Sequence, residues 1–259
     1  MAQRRIGSKS EMTNKEITRP PKHQIEALKA IGAATVAGTL THLGVRNAHI
    51  LGPISWHKGK VMVGPALTLL MMPKREDLYG DGEYNDPEKQ LHRHVLYQVQ
   101  EGDVVVVDAR GDMTAGIFGE MMMTYFKGRG GAGLVIDGCI RDYPGQIELD
   151  MPLWIRGLTP NFHTQTGLMP FDFNCPIACG GVTVIPGDII VADDDGAVCL
   201  PAALAEKVIE LASQHHEWEE FSKIMLSKGG SLKRYYPLHD DARPEYDAWR
   251  KLNPFKKIG

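Results

Sequence analysis

Cysteine is scarce in this chain, with four residues in 259, Cys139, Cys175, Cys179 and Cys199, and no Cys-x-x-Cys pair among them. The closest two, Cys175 and Cys179, have no neighbouring histidine to complete a zinc set. A structural zinc site and a disulfide scaffold are therefore excluded, and reduced, mostly buried thiols are expected. Charge of one sign is equally thin: 29 basic residues against 32 acidic ones leave a net charge of −3, with no basic run longer than a few residues. That balance lacks the electrostatic footprint of a nucleic-acid binder. Long apolar runs are missing too, since no stretch approaches the roughly eighteen residues a membrane span needs. The N-terminal segment MAQRRIGSKSEMTNKE is polar and has no apolar core of a signal peptide. These absences predict a cytoplasmic protein with neither nucleic acid nor membrane among its partners.

What remains is ordinary globular composition, 43% hydrophobic and 24% charged. A chain of this length buries roughly three quarters of its unfolded surface, so it needs no metal merely to fold. Any bound metal would therefore point to chemistry.

Periodicity divides the chain. Residues 1–22 read as a mobile arm ending at Pro20-Pro21, and 23–43 as one or two helices on Ile25, Leu28, Ile31, Val36 and Leu40. Residues 61–72 are strand-like, with Gly64-Pro65 as a bulge or edge signal. The polar stretch 74–89 exceeds the usual connection length and reads as a lid or an interface element. A helix is predicted from Pro87 on Leu91, Val95 and Val99, leaving His92 and His94 off the stripe, on a solvated face or at a subunit contact. Val104 to Val107 is a continuous apolar run typical of a strand buried on both faces. A helix over 117–127 and short strands at 134–136, 153–155 and 189–191 follow. Asp193-Asp194-Asp195-Gly196 is a turn, and 201–226 a long amphipathic helix in which His215 and His216 are surface residues. The aromatic-bearing tail after it, with Tyr235, Tyr236, Tyr246, Trp249 and Phe255, suggests contact with a neighbouring subunit. Alternating strands and helices give an α/β class.

Ligand sites in such folds favour the carboxyl ends of buried strands and the helix N-termini beside them. Two strand ends carry polar groups of interest: Asp108-Ala109-Arg110-Gly111-Asp112 leading to Gly116-Ile117-Phe118-Gly119-Glu120-Met121-Met122, and Asp137-Gly138-Cys139-Ile140-Arg141-Asp142. If strands 104–107 and 134–136 are neighbours, Gly119-Glu120 approaches Arg141-Asp142. Amides, a guanidinium and carboxylates at one place suit a 2-oxo acid and a hard divalent cation.

The runs GDVVVVDARGD, GIFGEMM and KGRGGAGLVIDGCIRD, extended by RGLTP at 156–160, CGGVTV at 179–184, PGD at 186–188 and ADDDG at 192–196, resemble the family containing 4-hydroxy-4-methyl-2-oxoglutarate aldolase and the regulator of ribonuclease E activity A. Ala34-Thr35-Val36 and Gly64 to Thr68 fit the same pattern, so the resemblance covers about residues 25–205. Its aldolases carry an acidic residue, twenty intervening residues, then Arg-Asp. Here Glu120 is followed by twenty residues and then Arg141-Asp142, with Glu in place of the commoner Asp. The regulator branch typically loses the Asp after the Arg, and this chain keeps it.

The resemblance implies a swivelling β/β/α single domain at 23–205, with residues 206–259 forming a C-terminal helix and tail that make contacts in a homotrimer or homohexamer. It implies that Asp142 ligates Mg2+ or Mn2+, that Glu120 holds a metal-bound water, and that Arg141 binds the substrate's oxo group. Gly119, Glu120, Met121 and Met122 would hold its carboxylate, and Arg141 and Glu120 would be the catalytic pair. The implied activity is a class II pyruvate aldolase cleaving 4-hydroxy-2-oxo acids through a metal-stabilised enolate, with oxaloacetate decarboxylation by the same route. The in-class rival is a Schiff-base aldolase using Lys127; the rival of another class is a non-catalytic regulatory or scaffold protein that binds another protein.

Overall fold

The computed structural model describes residues 15–79, 86–162 and 167–253. Residues 1–14 of the predicted arm, 80–85 of the long loop and Phe255 of the tail lie outside these. In chain order the helices are α1 (Lys22–Ile31), α2 (Ala33–His42), α3 (Leu91–Tyr97), α4 (Glu120–Gly128), α5 (Tyr143–Glu148), α6 (Ala205–Ser227), α7 (Leu232–Tyr235) and α8 (Arg243–Leu252). The strands are β1 (His49–Ile50), β2 (Ile54–Ser55), β3 (Met62–Pro73), β4 (Val104–Gly116), β5 (Gly133–Ile140), β6 (Leu153–Leu158), β7 (Leu168–Phe173), β8 (Ile177–Cys179), β9 (Val182–Val184), β10 (Ile189–Asp193) and β11 (Gly196–Leu200).

Among the described residues one nine-stranded sheet runs β1-β11-β10-β3-β4-β5-β6-β2, with β7 joined to β3, and β8 and β9 form a separate hairpin. The centre, β3-β4-β5-β6, is parallel, and β10, β7 and β2 pair antiparallel with their neighbours. The unbroken apolar runs follow from this position. Val105 and Val107 of β4, with Leu134 and Ile136 of β5, point into a core shared with Val95, Val99, Met123 and Phe126 of the region around α3 and α4. Val104, Val106 and Val135 point to the other face, against Ile177, Cys179, Val182 and Val184 of the hairpin. A strand with a core on each side has no polar face to alternate with. The resulting order of layers, helices over sheet over hairpin, is the predicted β/β/α arrangement.

A third core joins α1, α2 and the first half of α6 to β10 and β11 through Leu28, Val36, Leu40, Val191 and Val208. The second half of α6 instead packs with α7 and α8, through Phe221, Tyr235, Ala242 and Tyr246. Residues ahead of α1 lie against the sheet: Ile17 touches the α3/α4 core. Arg19 donates from Nε and Nη2 to the fully buried Asp103 carboxylate, at 2.9 and 2.7 Å.

Several predicted boundaries move. The helix expected from Ile117 starts at Glu120, because Ile117 N–H is taken by Cys139 C=O at 3.0 Å and keeps the chain beside β5. α3 starts at Leu91, after a 3-10 turn at Pro87–Lys89. His92, expected on a solvated face, is buried against Phe118 with ring centroids 6.4 Å apart. α3 is only seven residues long and roofs the core, so a position off the main stripe still faces inward. His94 bonds to the Glu88 carbonyl and stacks near Tyr97 and Phe173. All four cysteines are free thiols, three of them buried, and burial pushes the Cys175 thiol up to about 11. The Asp193 to Asp195 run is the expected turn, between β10 and β11.

Gly64 in β3 tests how tightly this centre is packed. A Cβ there would stand 2.0 Å from the Gly102 carbonyl oxygen. Gly64→Ala is expected to lower the unfolding free energy by roughly 1–3 kcal/mol, the usual cost of overpacking. Gly38→Ala, in α2 with open space around it, is expected to raise it by up to about 1 kcal/mol. Urea denaturation of the two variants reads both signs.

Candidate active site

The site residues come from two neighbouring crossovers. β4 and β5 pair in parallel from Val104 opposite Gly133 to Val107 opposite Ile136, then slip, so that Asp112 faces Gly138 and Gly116 faces Cys139. Each chain leaves its strand into a helix: Gly116 to Gly119 into α4, and Ile140 to Asp142 into α5. Arg141 N–H donates to Phe118 C=O at 3.1 Å and ties the two exits together.

Two glycines allow the side chains to meet. At Gly116 a Cβ would lie 2.4 Å from the Asn161 carbonyl and 2.9 Å from Arg141 Cβ. At Gly119 it would lie 2.5 Å from Asp142 Oδ2 and 2.9 Å from Arg141 Nε. The guanidinium and the carboxylate thus both reach over the residue that caps α4, with Arg141 Nε 3.5 Å from Asp142 Oδ2. Both remain partly open to solvent, at 37% and 47% side-chain exposure. The Phe162 ring flanks the guanidinium, 5.9 Å from its carbon to the ring centroid.

Asp142 occupies the N-cap position of α5, where an aspartate ordinarily accepts from its own helix. Its backbone is left-handed (φ 58°, ψ 34°) and its side chain makes no capping bond. The carboxylate turns instead toward Gly119. Such a conformation in a non-glycine residue is uncommon and clusters at functional positions.

Gly119 is extended (φ −108°, ψ 176°), and the first intrahelical bond of α4 is Met123 N–H to Gly119 C=O at 3.1 Å. The amides of Glu120, Met121 and Met122 therefore precede the hydrogen-bonded ladder and carry the positive end of the helix dipole. The Met121 side chain is 79% exposed, whereas Met122 packs against the α3/α4 core. Glu120 is exposed, and its carboxylate lies over Gly145 of α5. The sequence-predicted residues Gly119, Glu120, Arg141 and Asp142 are thus gathered at the α4/α5 seam, with Met121 and Met122 contributing through the same first turn. Lys127 stands at the far end of α4, exposed, and donates to the Leu149 carbonyl.

Among the described residues no group of three or more His, Cys, Asp or Glu side chains could hold a metal ion. A divalent cation here would draw on Asp142 and Glu120 and take its other ligands from water and substrate oxygens. Mg2+ commonly binds in that way, through one or two carboxylates with retained waters. The donor set present fits that mode: two carboxylates over facing glycines, one of them excused from capping.

Sequence reading passed over Gln146 and Phe162, and it named Asp108 and Asp137 at their strand ends without the row they form with Arg156 on the hairpin side of the sheet. Gln146 is fully buried; its Nε2 donates to the carbonyls of Phe118 and Arg141, the residues just before Gly119 and Asp142. Its only sequence signal is a polar residue inside a short helix. Asp108, Asp137 and Arg156 each follow one member of the paired row Val107, Ile136 and Ile155. Arg156 is ion-paired with Asp137, whose second oxygen accepts from Gly180 N–H at 3.1 Å. Burial raises the Asp108 carboxyl above the usual range, against the pull of the Arg110 and Ala178 N–H groups.

These features define a β/β/α domain in which a guanidinium and carboxylates gather at the ends of parallel strands. The RraA-like family model, described as Aldolase/RraA, matches residues 33–199, and the chain belongs to that family. It is 37% identical over 141 residues to a Halalkalibacterium halodurans protein described as "Putative 4-hydroxy-4-methyl-2-oxoglutarate aldolase", covering 54% of this chain and 66% of that protein, just under two thirds of its length. The crystal structure of Streptomyces coelicolor RraAS2, described as an unusual member of the RNase ES inhibitor RraA protein family, superposes with a TM-score of 0.73 at 41% identity, over 80% of this chain and 99% of that one. An uncharacterized protein from Pseudomonas syringae pv. tomato gives a TM-score of 0.74 at 25% identity, over 86% and 97%.

Replacing Gln146 with Leu keeps the volume but leaves the Arg141 carbonyl without its side-chain donor. The expected loss of unfolding free energy is about 0.5–1.5 kcal/mol, the net worth of a lost hydrogen bond, measured by chemical denaturation.

Proposed function

We propose that this chain is a divalent-metal-dependent carbon-carbon lyase of the class II pyruvate aldolase type, using Mg2+ or Mn2+. It cleaves 4-hydroxy-2-oxo acids to pyruvate, and it decarboxylates oxaloacetate through the same enolate. The observation that carries this reading is the meeting of Arg141 and Asp142 over Gly119, at the open end of α4.

In this reading the substrate carboxylate lies on the amides of Glu120, Met121 and Met122, where unpaired N–H groups and the dipole favour an anion. Arg141 donates to the 2-oxo oxygen. As the bond between C3 and C4 breaks, its electron pair moves toward that oxygen, and a hydrogen bond to a charged donor strengthens as negative charge develops. Asp142 and Glu120 would hold a divalent cation, which would supply positive charge to stabilise the enolate. The proton lost from the C4 hydroxyl must reach C3 of the pyruvate fragment, and Glu120, exposed at the rim, is the group placed to hold it meanwhile. Phe162 keeps one side of the guanidinium apolar. Lys127 is bonded away at the opposite helix end, which argues against Schiff-base chemistry.

The same reading makes the protein a cytoplasmic homo-oligomer, a trimer or hexamer, whose partner in chemistry is a small 2-oxo acid. Exposed Leu51, Ile54 and Leu158 beside the terminal strand β2 support a subunit contact there, and no described helix is long and apolar enough to cross a membrane.

A panel of 4-hydroxy-2-oxo acids and oxaloacetate, assayed for pyruvate with Mg2+ and again with chelator, tests the proposal. Turnover is expected only with metal and without borohydride trapping. Asp142→Ala should abolish it, and Arg141→Lys should lower kcat by about 100-fold or more, the scale of losing a donor to developing charge. Metal-loaded protein that releases neither pyruvate nor carbon dioxide from any of them would leave the non-catalytic RraA-type role in its place.

A further inference from the structure

The seam between α4 and α5 contains a glycine with no backbone reason to be there. Gly145 lies within helical α5 (Tyr143–Glu148) and has none of the positive φ values that demand glycine elsewhere in the chain. In such a position glycine is disfavoured against alanine by roughly 0.5–1 kcal/mol. What it provides is space. A Cβ at 145 would stand 2.2 Å from Glu120 Oε2, 2.3 Å from Cδ and 3.0 Å from Cγ. The Glu120 carboxylate occupies the volume that any other residue at 145 would fill.

Nor can α5 retreat to make room. Tyr143, at its first position, packs edge-on against Trp56 with centroids 5.5 Å apart and donates from its hydroxyl to the Trp56 carbonyl at 3.3 Å. Gln146, next to the glycine, is buried and holds the Phe118 and Arg141 carbonyls. With the helix held at both points, a side chain at 145 must displace the flexible head of Glu120 and leave the fold unchanged.

We propose that Gly145 is a positioning residue matched to Glu120: its missing side chain sets where the longer carboxylate stands over α5, and so the affinity of the site for a divalent cation. This rests on the metal reading above but does not depend on which substrate is cleaved. An aspartate at 120, one methylene shorter, would place its carboxyl carbon where Glu120 Cγ now stands, 3.0 Å from a Cβ at 145, so it crowds that position less and the glycine matters more with glutamate.

The experiment is calorimetric titration of Mn2+ into the purified full-length protein without substrate, for wild type, Gly145→Ala, Glu120→Asp and the double variant, with thermal melts alongside. Gly145→Ala is expected to weaken Mn2+ binding about 10-fold or more, the scale of disturbing a group that orients a metal site, with Tm unchanged or raised. In the Glu120→Asp background the same alanine should change affinity less than about 2-fold, a coupling that a purely structural role would not show. Wild-type affinity in Gly145→Ala, or an equal alanine effect in both backgrounds, overturns the inference. Wild-type protein that takes up no Mn2+ overturns the metal reading and this inference together. Mn2+ binding with the expected coupling but no turnover on any 2-oxo acid overturns the lyase alone and supports the pairing.

Discussion

The register in which β4 pairs with β5 decides where every polar group of the site can stand. Val107 and Ile136 close the unbroken stretch of pairing side by side, and beyond the shifted pairs the two chains leave the sheet toward one place. The slip beyond Val107 is absorbed in the bulged length of β4, so the Gly116 to Gly119 segment still runs beside Cys139 to Arg141. Two hydrogen bonds hold it there, Ile117 to Cys139 and Arg141 to Phe118. The site is therefore an extension of sheet pairing and not a loop set on the surface. Its glycines are places where the second chain passes too close for a Cβ.

The parts of this arrangement that repeat a period were legible in the residues. Val104 to Val107 could be read as a strand buried on both faces because four consecutive apolar residues have no solvated alternative, and the cores on either side bear this out. The convergence of Glu120 with Arg141-Asp142 could be anticipated from the two strand ends, once they were taken as neighbours. Periodicity failed where a tertiary bond overrides local preference: residues 117–119 have helix-compatible neighbours, yet stay extended because Cys139 competes for an amide. His92 was misplaced because a seven-residue helix offers too little length for a stripe to be defined. Gly145 carried no local signal, and Gln146 only that of a polar residue inside a short helix, since the reason for each lies on another segment.

The protein treats its carboxylates in two ways. Asp137 is neutralised by Arg156 and a backbone amide, and Asp103 by Arg19 and the Gln100 amide, so these carboxylates are satisfied internally and have little left to offer a ligand. Asp142 and Glu120 are exposed and held mainly by geometry, with no such full set of partners. A buried charge that breaks even against its desolvation serves the fold; a half-exposed one with spare lone pairs can serve chemistry.

Helix α6 belongs to two cores at once, giving Val208 to the sheet and Phe221 to the aromatic cluster of the C-terminal helices. At 23 residues it is a rod of about 35 Å, given a rise of about 1.5 Å per residue. An uninterrupted ladder of backbone bonds offers no hinge. Mechanical load placed on Phe221, Tyr246 and their neighbours is accordingly delivered along that rod to the β10/β11 edge of the sheet, with α7 and α8 coupled to the strands through one lever.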